Sequence, residues 1–111
     1  MTDRELKLLC RAVGDVSRMN ILRTLAAVPE ISVTELAYRL VVSQPLASWH
    51  LRILRRAGVI TTRREGRQVY CALAPERLEQ FREAIGDLID HTEGTEGKEQ
   101  LWEKSALPSS A

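Results

Sequence analysis

Between Ser32 and Leu73 the chain reads SVTELAYRLVVSQPLASWHLRILRRAGVITTRREGRQVYCAL, and its punctuation leaves few folds open. Ser32 stands three residues before Glu35, the capping-box spacing that starts a helix near Val33. Leu36, Ala37 and Leu40 then share one face of that helix. Val41 and Val42 carry the chain to Ser43, a second N-cap residue. Pro45 follows in the first turn, where a missing N–H is tolerated. From Gln44 to Ala57 the apolar residues Ala47, Leu51 and Leu54 recur at steps of four and three, which is the helical period. Gly58 has the place of the residue just past a helix end. The runs Val59 to Arg64 and Arg67 to Leu73 are rich in β-branched and aromatic residues and read as strands, with Glu65-Gly66 as the hairpin tip.

Charge gives this segment a direction. Seven arginines and a single acid, Glu65, lie between Arg39 and Arg67. A short helix, a turn, an arginine-bearing helix and an arginine-bearing hairpin make a helix-turn-helix with a wing, suited to neutralising phosphates on both sides of a major groove. The competing reading is a solvated basic face on an ordinary bundle. The ordered succession of cap, proline, helix, glycine and hairpin favours the winged helix. The exposed face of the second helix offers Gln44, Ser48, Trp49, Arg52, Arg55 and Arg56, and the residues assigned to DNA are Ser43, Gln44, Pro45, Ser48, Trp49 and Arg52 of the helix and its start, with Arg64 and Arg67 of the hairpin. Gln44 and Ser48 are the residues suited to base edges, since Gln pairs with adenine through both amide groups. The Trp49 ring has two open roles, packing on a thymine methyl or shielding the helix from the wing. His50 points inward with Ala47 and Leu54 and reads as a satisfied, partly buried histidine.

The pieces AVGDVSRMNILRTL and SVTELAYRLVVSQPLASWHLRILRRAGVITTRREGRQVYCAL, with the spacing between them, resemble the ArsR/SmtB-type winged-helix repressors over about residues 5 to 90. Three positions depart from the family pattern. Val41 stands where a turn glycine is usual, and Leu46 and Trp49 replace a small polar residue and a histidine. They bear on base preference more than on fold. The resemblance implies a homodimer on palindromic promoter DNA, with repression by occupancy. It also implies an effector that changes the angle between the two heads through paired first and last helices. Neither a small-molecule nor a metal effector is identified by the residues. One metal site of the resembling sensors uses Cys-x-Cys where this chain has Ser32-Val33-Thr34, and oxygen ligands of that kind are not soft thiolates. For the site on the last helix only Asp87 and His91 remain, a weak pair four residues apart. No metal and no cofactor are expected.

The rest of the chain supports a mostly α, α+β fold: a winged helix-turn-helix with a two-stranded wing and a long C-terminal dimerisation helix. Residues 4 to 13 predict a first helix with Leu6, Leu9, Cys10 and Val13 on one face. Gly14 breaks it, and Asp15 caps a second helix over about 16 to 27, with Met19, Leu22, Leu25 and Ala26 facing inward and Pro29 confirming the stop. Arg18 reads as a structural, hydrogen-bonding arginine. Pro75 opens the last helix, whose stripe of Leu78, Phe81, Ile85, Leu88 and Ile89 is amphipathic. With Leu6, Leu9 and Val13 this stripe is the expected dimer interface; the alternative is that it closes the monomer core. The domain is expected over residues 1–92, followed by a polar, mobile tail over 93–111.

Net charge is only +1, but residues 1–74 carry twelve basic and six acidic side chains and residues 75–111 four basic and nine acidic. A basic lobe is thus masked by an acidic C-terminal part that DNA would repel. Aromatic content is 5%, so the core is modest and association would add stability. There is no long apolar run for a membrane helix and no apolar stretch of a signal peptide at MTDRELKLL, so a cytoplasmic protein without a membrane partner is expected. Cys10 and Cys71, far apart in apolar runs, read as buried small hydrophobes. No Ser/His/Asp set or Gly-rich phosphate loop occurs, and an enzyme is not expected. Two functional classes stay open: a sequence-specific DNA-binding repressor, and a winged-helix module whose arginine face binds an acidic protein partner.

Overall fold

A computed structural model describes residues 1–90 of the chain. The elements are α1 (Asp3–Val13), α2 (Val16–Ala26), β1 (Ile31–Ser32), α3 (Val33–Leu40), α4 (Gln44–Arg56), β2 (Ile60–Glu65), β3 (Gln68–Leu73) and α5 (Pro75–Asp90). Four helix starts follow from side-chain caps. Thr2, Asp15, Ser32 and Ser43 each accept the N–H of the residue three ahead, satisfying one of the orphan donors of a first turn. Ser32 makes only half of a capping box, because Glu35 turns away to pair with Arg39 at 2.8 Å.

The two helices of the motif end alike. After α4, Gly58 N–H donates to Arg55 O at 3.0 Å and Val59 N–H to Leu54 O at 3.2 Å, the two bonds of a Schellman turn. Gly58 takes φ +83°, and a Cβ there would meet Arg77 Nε at 3.2 Å. After α3, Val41 N–H donates to Tyr38 O at 3.2 Å and Val42 N–H to Ala37 O at 3.1 Å, the same pattern. Here the left-handed position is held by Val41 (φ 56°, ψ 47°), the only non-glycine residue with positive φ among the described residues. A β-branched side chain in that region is strained, and Val41 is 89% exposed, so little packing offsets the strain.

The sheet has three antiparallel strands in the order β1-β3-β2, one more than the sequence predicts. Ile31 and Ser32 pair with Cys71 and Tyr70 and tie the entry to α3 onto the wing. A two-residue strand carries no readable alternation, which is why it escapes sequence reading. The hairpin tip is Gly66-Arg67, one residue later than expected: Glu65 pairs with Gln68 as the last rung. With Gly66 at φ +61° the glycine leads the turn, a preferred hairpin arrangement. Val59, expected to open the strand, belongs to the Schellman turn instead.

One core gathers these elements. Leu9 and Ala12 of α1, Ile21 and Leu25 of α2, Leu36 of α3, Leu51 and Leu54 of α4, and Ile31, Val59, Ile60 and Cys71 around the sheet are all buried. Leu9 has no exposed surface at all, so it belongs to this core and not to an interface as the stripe suggested. Cys10 falls about 100° around α1 from Leu9 and is exposed, against the expectation of a buried thiol. In α2 the inward residues are Ile21 and Leu25, with Leu22 partly buried; Met19 and Ala26 lie on the exposed side. Cys71 is buried as expected, donates to Ile31 O at 3.4 Å, and has its thiol pushed up to about 11 by desolvation, with the charge of Glu30 adding to it.

Helix α5 lies at the edge of this body. Leu78 and Phe81 pack on the core, whereas Ile85, Leu88 and Ile89 are exposed. Arg77 anchors it: Nε donates to Ala57 O at 3.3 Å, and Nη1 reaches Glu5 Oε2 at 3.1 Å and Gln80 Oε1 at 2.8 Å. No described helix is long and apolar enough to cross a membrane. His91, the 92/93 boundary and the tail lie outside the described residues.

Candidate nucleic-acid interface

Helix α4 is exposed along one side because its inward positions are few and regularly spaced. Ala47, His50, Leu51 and Leu54 are its buried residues. Its outward side then divides into a strip toward the wing (Gln44, Ser48, Arg55), a crest (Pro45, Arg52, Arg56) and a far strip (Leu46, Trp49, Ile53), from a turn of about 100° per residue.

A groove of about 380 Å3 runs between the wing strip and the hairpin. Of the residues the sequence assigns to DNA, Gln44, Ser48, Arg52, Arg64 and Arg67 line it together. Arg55, Thr34, Thr62 and Gln68 join them, and no carboxylate is among the lining residues. Thr34 is the hub: its hydroxyl accepts from Gln44 Nε2 at 3.1 Å and lies 3.5 Å from Gln68 Oε1, linking α3, α4 and β3. Arg55 Nη1 reaches Thr62 Oγ1 at 3.4 Å across the groove. Thr34 and Gln68 carry no signal of their own in the sequence, since only the antiparallel return of β3 brings them beside Gln44. Arg55 was legible as an exposed arginine of the helix.

The other three assigned residues lie elsewhere. Ser43 is spent on capping, accepting Leu46 N–H at 3.2 Å, and Pro45 sits exposed on the crest. Trp49 does not line the wing groove, so it does not shield the helix from the wing. It leans the opposite way, edge-on to His50 with ring centroids 5.0 Å apart and with the Arg18 guanidinium carbon 5.9 Å from its ring centre.

Arg18 has the structural role expected of it. Nε donates to Ala12 O at 2.7 Å, Nη2 to Arg11 O at 3.3 Å, and Nη1 lies 3.2 Å from His50 Nδ1. A guanidinium only donates, so Nδ1 of His50 accepts. This closes the end of α1 against α4 and accounts for His50, the one buried polar side chain among the described residues.

The wing arginines are not equivalent. Arg63 pairs with both oxygens of Glu30, one at 3.0 Å from Nε, and with Glu65 at 2.6 Å, and it stacks over Tyr70 at 4.6 Å. These hydrogen bonds raise its pKa further and hold Glu30 below the usual carboxylate range. Its charge is thus matched within the protein. Arg64 and Arg67, one on the facing side of the strand and one in the turn, line the groove instead.

Comparison with known proteins agrees with this geometry. Residues 13–63 match the helix-turn-helix domain family. The chain is 36% identical over 81 residues to the biofilm growth-associated repressor of Agrobacterium fabrum, covering 73% of this chain and 68% of that protein. It is 33% identical over 82 residues to the transcriptional repressor SmtB homolog of Synechocystis, covering 74% and 61%. The crystal structure of the ArsR family transcriptional regulator RHA00566 shares the fold, with a TM-score of 0.76 over 85% of this chain and 96% of that one at 23% identity. So does the homodimeric winged helix-turn-helix DNA-binding domain Mb0332 of Mycobacterium bovis, with a TM-score of 0.64 over 84% and 92% at 24% identity. Capped helix pair, wing and relatives together establish that the chain belongs to the ArsR/SmtB-type family of winged-helix transcriptional regulators.

Proposed function

We propose that this DNA-binding regulator works as a homodimer on palindromic promoter DNA and represses by occupying it. Each α4 enters a major groove and each wing lies over the flanking backbone. The observation that carries the reading is the acid-free groove in which Gln44 and Ser48 meet the guanidinium groups of Arg52, Arg55, Arg64 and Arg67. The amides and hydroxyls specify, and the arginines position. The exposed apolar residues Ile85 and Leu88 of α5 supply the contact between copies. Two relatives are named repressors and one structural neighbour is homodimeric, which supports both halves of the reading.

The test is a titration of wild type and Gln44→Ala on a duplex enriched by the protein from a random library, beside a scrambled duplex. Gln44→Ala costs about 1–3 kcal/mol per half-site on the enriched duplex and relaxes preference at one base pair. Binding to the scrambled duplex stays nearly unchanged. Equal weakening on both duplexes means that α4 does not read bases through Gln44. Failure to enrich any duplex returns the arginine face to an acidic protein partner.

A further inference from the structure

The far strip of α4 is not explained by an arginine groove on the other side of the helix. Leu46 and Trp49 are one turn apart, so their side chains adjoin. They are 44% and 49% exposed. In a chain whose aromatic residues make up 5% of the sequence, a large indole left half in solvent is an expensive use of apolar surface. The ring is also held in place. Arg18 stands over it at 5.9 Å while tied to Ala12 O and His50 Nδ1, and His50 meets it edge-on. An aromatic fixed from behind by a bonded cation presents a rigid apolar surface outward, with little rotamer entropy left to lose on contact.

That surface flanks the helix crest on the side opposite Gln44 and Ser48. A helix lying in a major groove brings both flanks to base edges, and the one apolar group displayed there is the C5 methyl of thymine. We propose that Leu46 and Trp49 form a thymine-methyl reader, so that the strip facing away from the wing selects thymine at one or two positions per half-site while Gln44 and Ser48 select by hydrogen bonds. Arg18 and His50 act as positioning residues for the Trp49 ring. The inference rests on the DNA reading above and refines the chemistry of the same helix.

Replacing thymine by uracil removes that methyl and leaves every hydrogen-bonding group of the base pair in place. The experiment therefore uses the full-length wild-type protein, a duplex it enriches from a random library, and a series of duplexes in which deoxyuridine replaces thymidine one position at a time. At the read position, affinity falls about fourfold per half-site, the equivalent of one buried methyl group. Trp49→Ala and Leu46→Ala bind the thymine and uracil duplexes alike at that position, whereas Gln44→Ala retains the fourfold difference. The wild-type series stands on its own should Trp49→Ala fold poorly, and Leu46→Ala, at an exposed site, gives a second reading. If uracil substitution changes nothing at any position of an enriched duplex, the inference falls while the DNA reading stands. The same holds if the uracil effect persists undiminished in both apolar variants. If no duplex is enriched, the DNA reading and the inference fall together.

Discussion

Val41 shows how a single backbone angle can run against its residue type. Its carbonyl-side neighbours complete a Schellman turn that a glycine would complete without strain, as Gly58 does seventeen residues on in the second instance. Val41→Gly relieves about 1–2 kcal/mol of left-handed strain and gives back about 0.4–1 kcal/mol through the freer unfolded chain. A net stabilisation of about 0.5–1 kcal/mol and a rise in Tm of a few degrees are expected from urea and thermal melts. A fall in stability would show that the exposed valine makes contacts worth more than its strain. Cys71 offers a pH test of the opposite kind. Its thiol is raised from 9.0 to about 11 by burial, so the folded state holds a proton that the unfolded chain releases. The stabilisation is complete below about pH 9 and is lost as the pH rises toward 11, by on the order of 2–3 kcal/mol. Cys71→Ala should flatten the fall in urea midpoint over that window relative to wild type. Identical slopes in the two proteins would remove Cys71 as the cause.

In the wing, three arginines close in sequence have different tasks, and charge counting treats them alike. Arg63 is matched by Glu30 and Glu65 and laid on Tyr70, whereas Arg64 and Arg67 face the α4 groove. Arg64→Ala and Arg67→Ala should each weaken enriched and scrambled duplexes alike and lower the slope of log affinity against log salt by about one per site removed. Arg63→Ala should leave that slope nearly unchanged, because its charge is already neutralised at the protein surface. Titrations at several salt concentrations separate the three variants. An Arg63→Ala slope change as large as that of Arg67→Ala would mean that the Glu30 pair opens when DNA binds.

Across the whole molecule, the first and last helices divide their apolar residues between two purposes. Leu9 is in the core, whereas Leu88 is 64% exposed and Ile85 stands beside it at the α5 surface. Sedimentation at micromolar concentration should give a dimer for wild type and a monomer for Ile85→Asp, with loss of binding to an enriched duplex. Leu9→Ala should instead cost about 2–5 kcal/mol of folding stability, and its folded fraction should remain dimeric. A wild-type monomer would remove the paired-head arrangement, and a dimeric Ile85→Asp would move the interface off α5.

Local chemistry carried much of the fold in the one-dimensional chain. The caps Asp15, Ser32 and Ser43, Pro45 in a first turn, Gly58 past a helix end and the period of Ala47, Leu51 and Leu54 each act within a few residues of themselves. They are therefore legible without knowing what packs against what. The same locality made Arg64 and Arg67 visible as an arginine hairpin, and the pieces resembling ArsR/SmtB-type regulators were recognisable for the same reason. Folding in three dimensions settled what depends on distant partners. The strand at Ile31 exists only because Cys71 and Tyr70 come back to pair with it. Leu9 is core and Cys10 is surface because α2, α4 and α5 pack against one side of α1 and not another. Thr34 enters the groove only through Gln44 and Gln68. Trp49 turned toward Arg18, away from the wing, because the end of α1 supplies carbonyls that hold that guanidinium in place. Periodicity assigns a residue to a face of its own helix, but which neighbour that face meets is set by the packing of all the others.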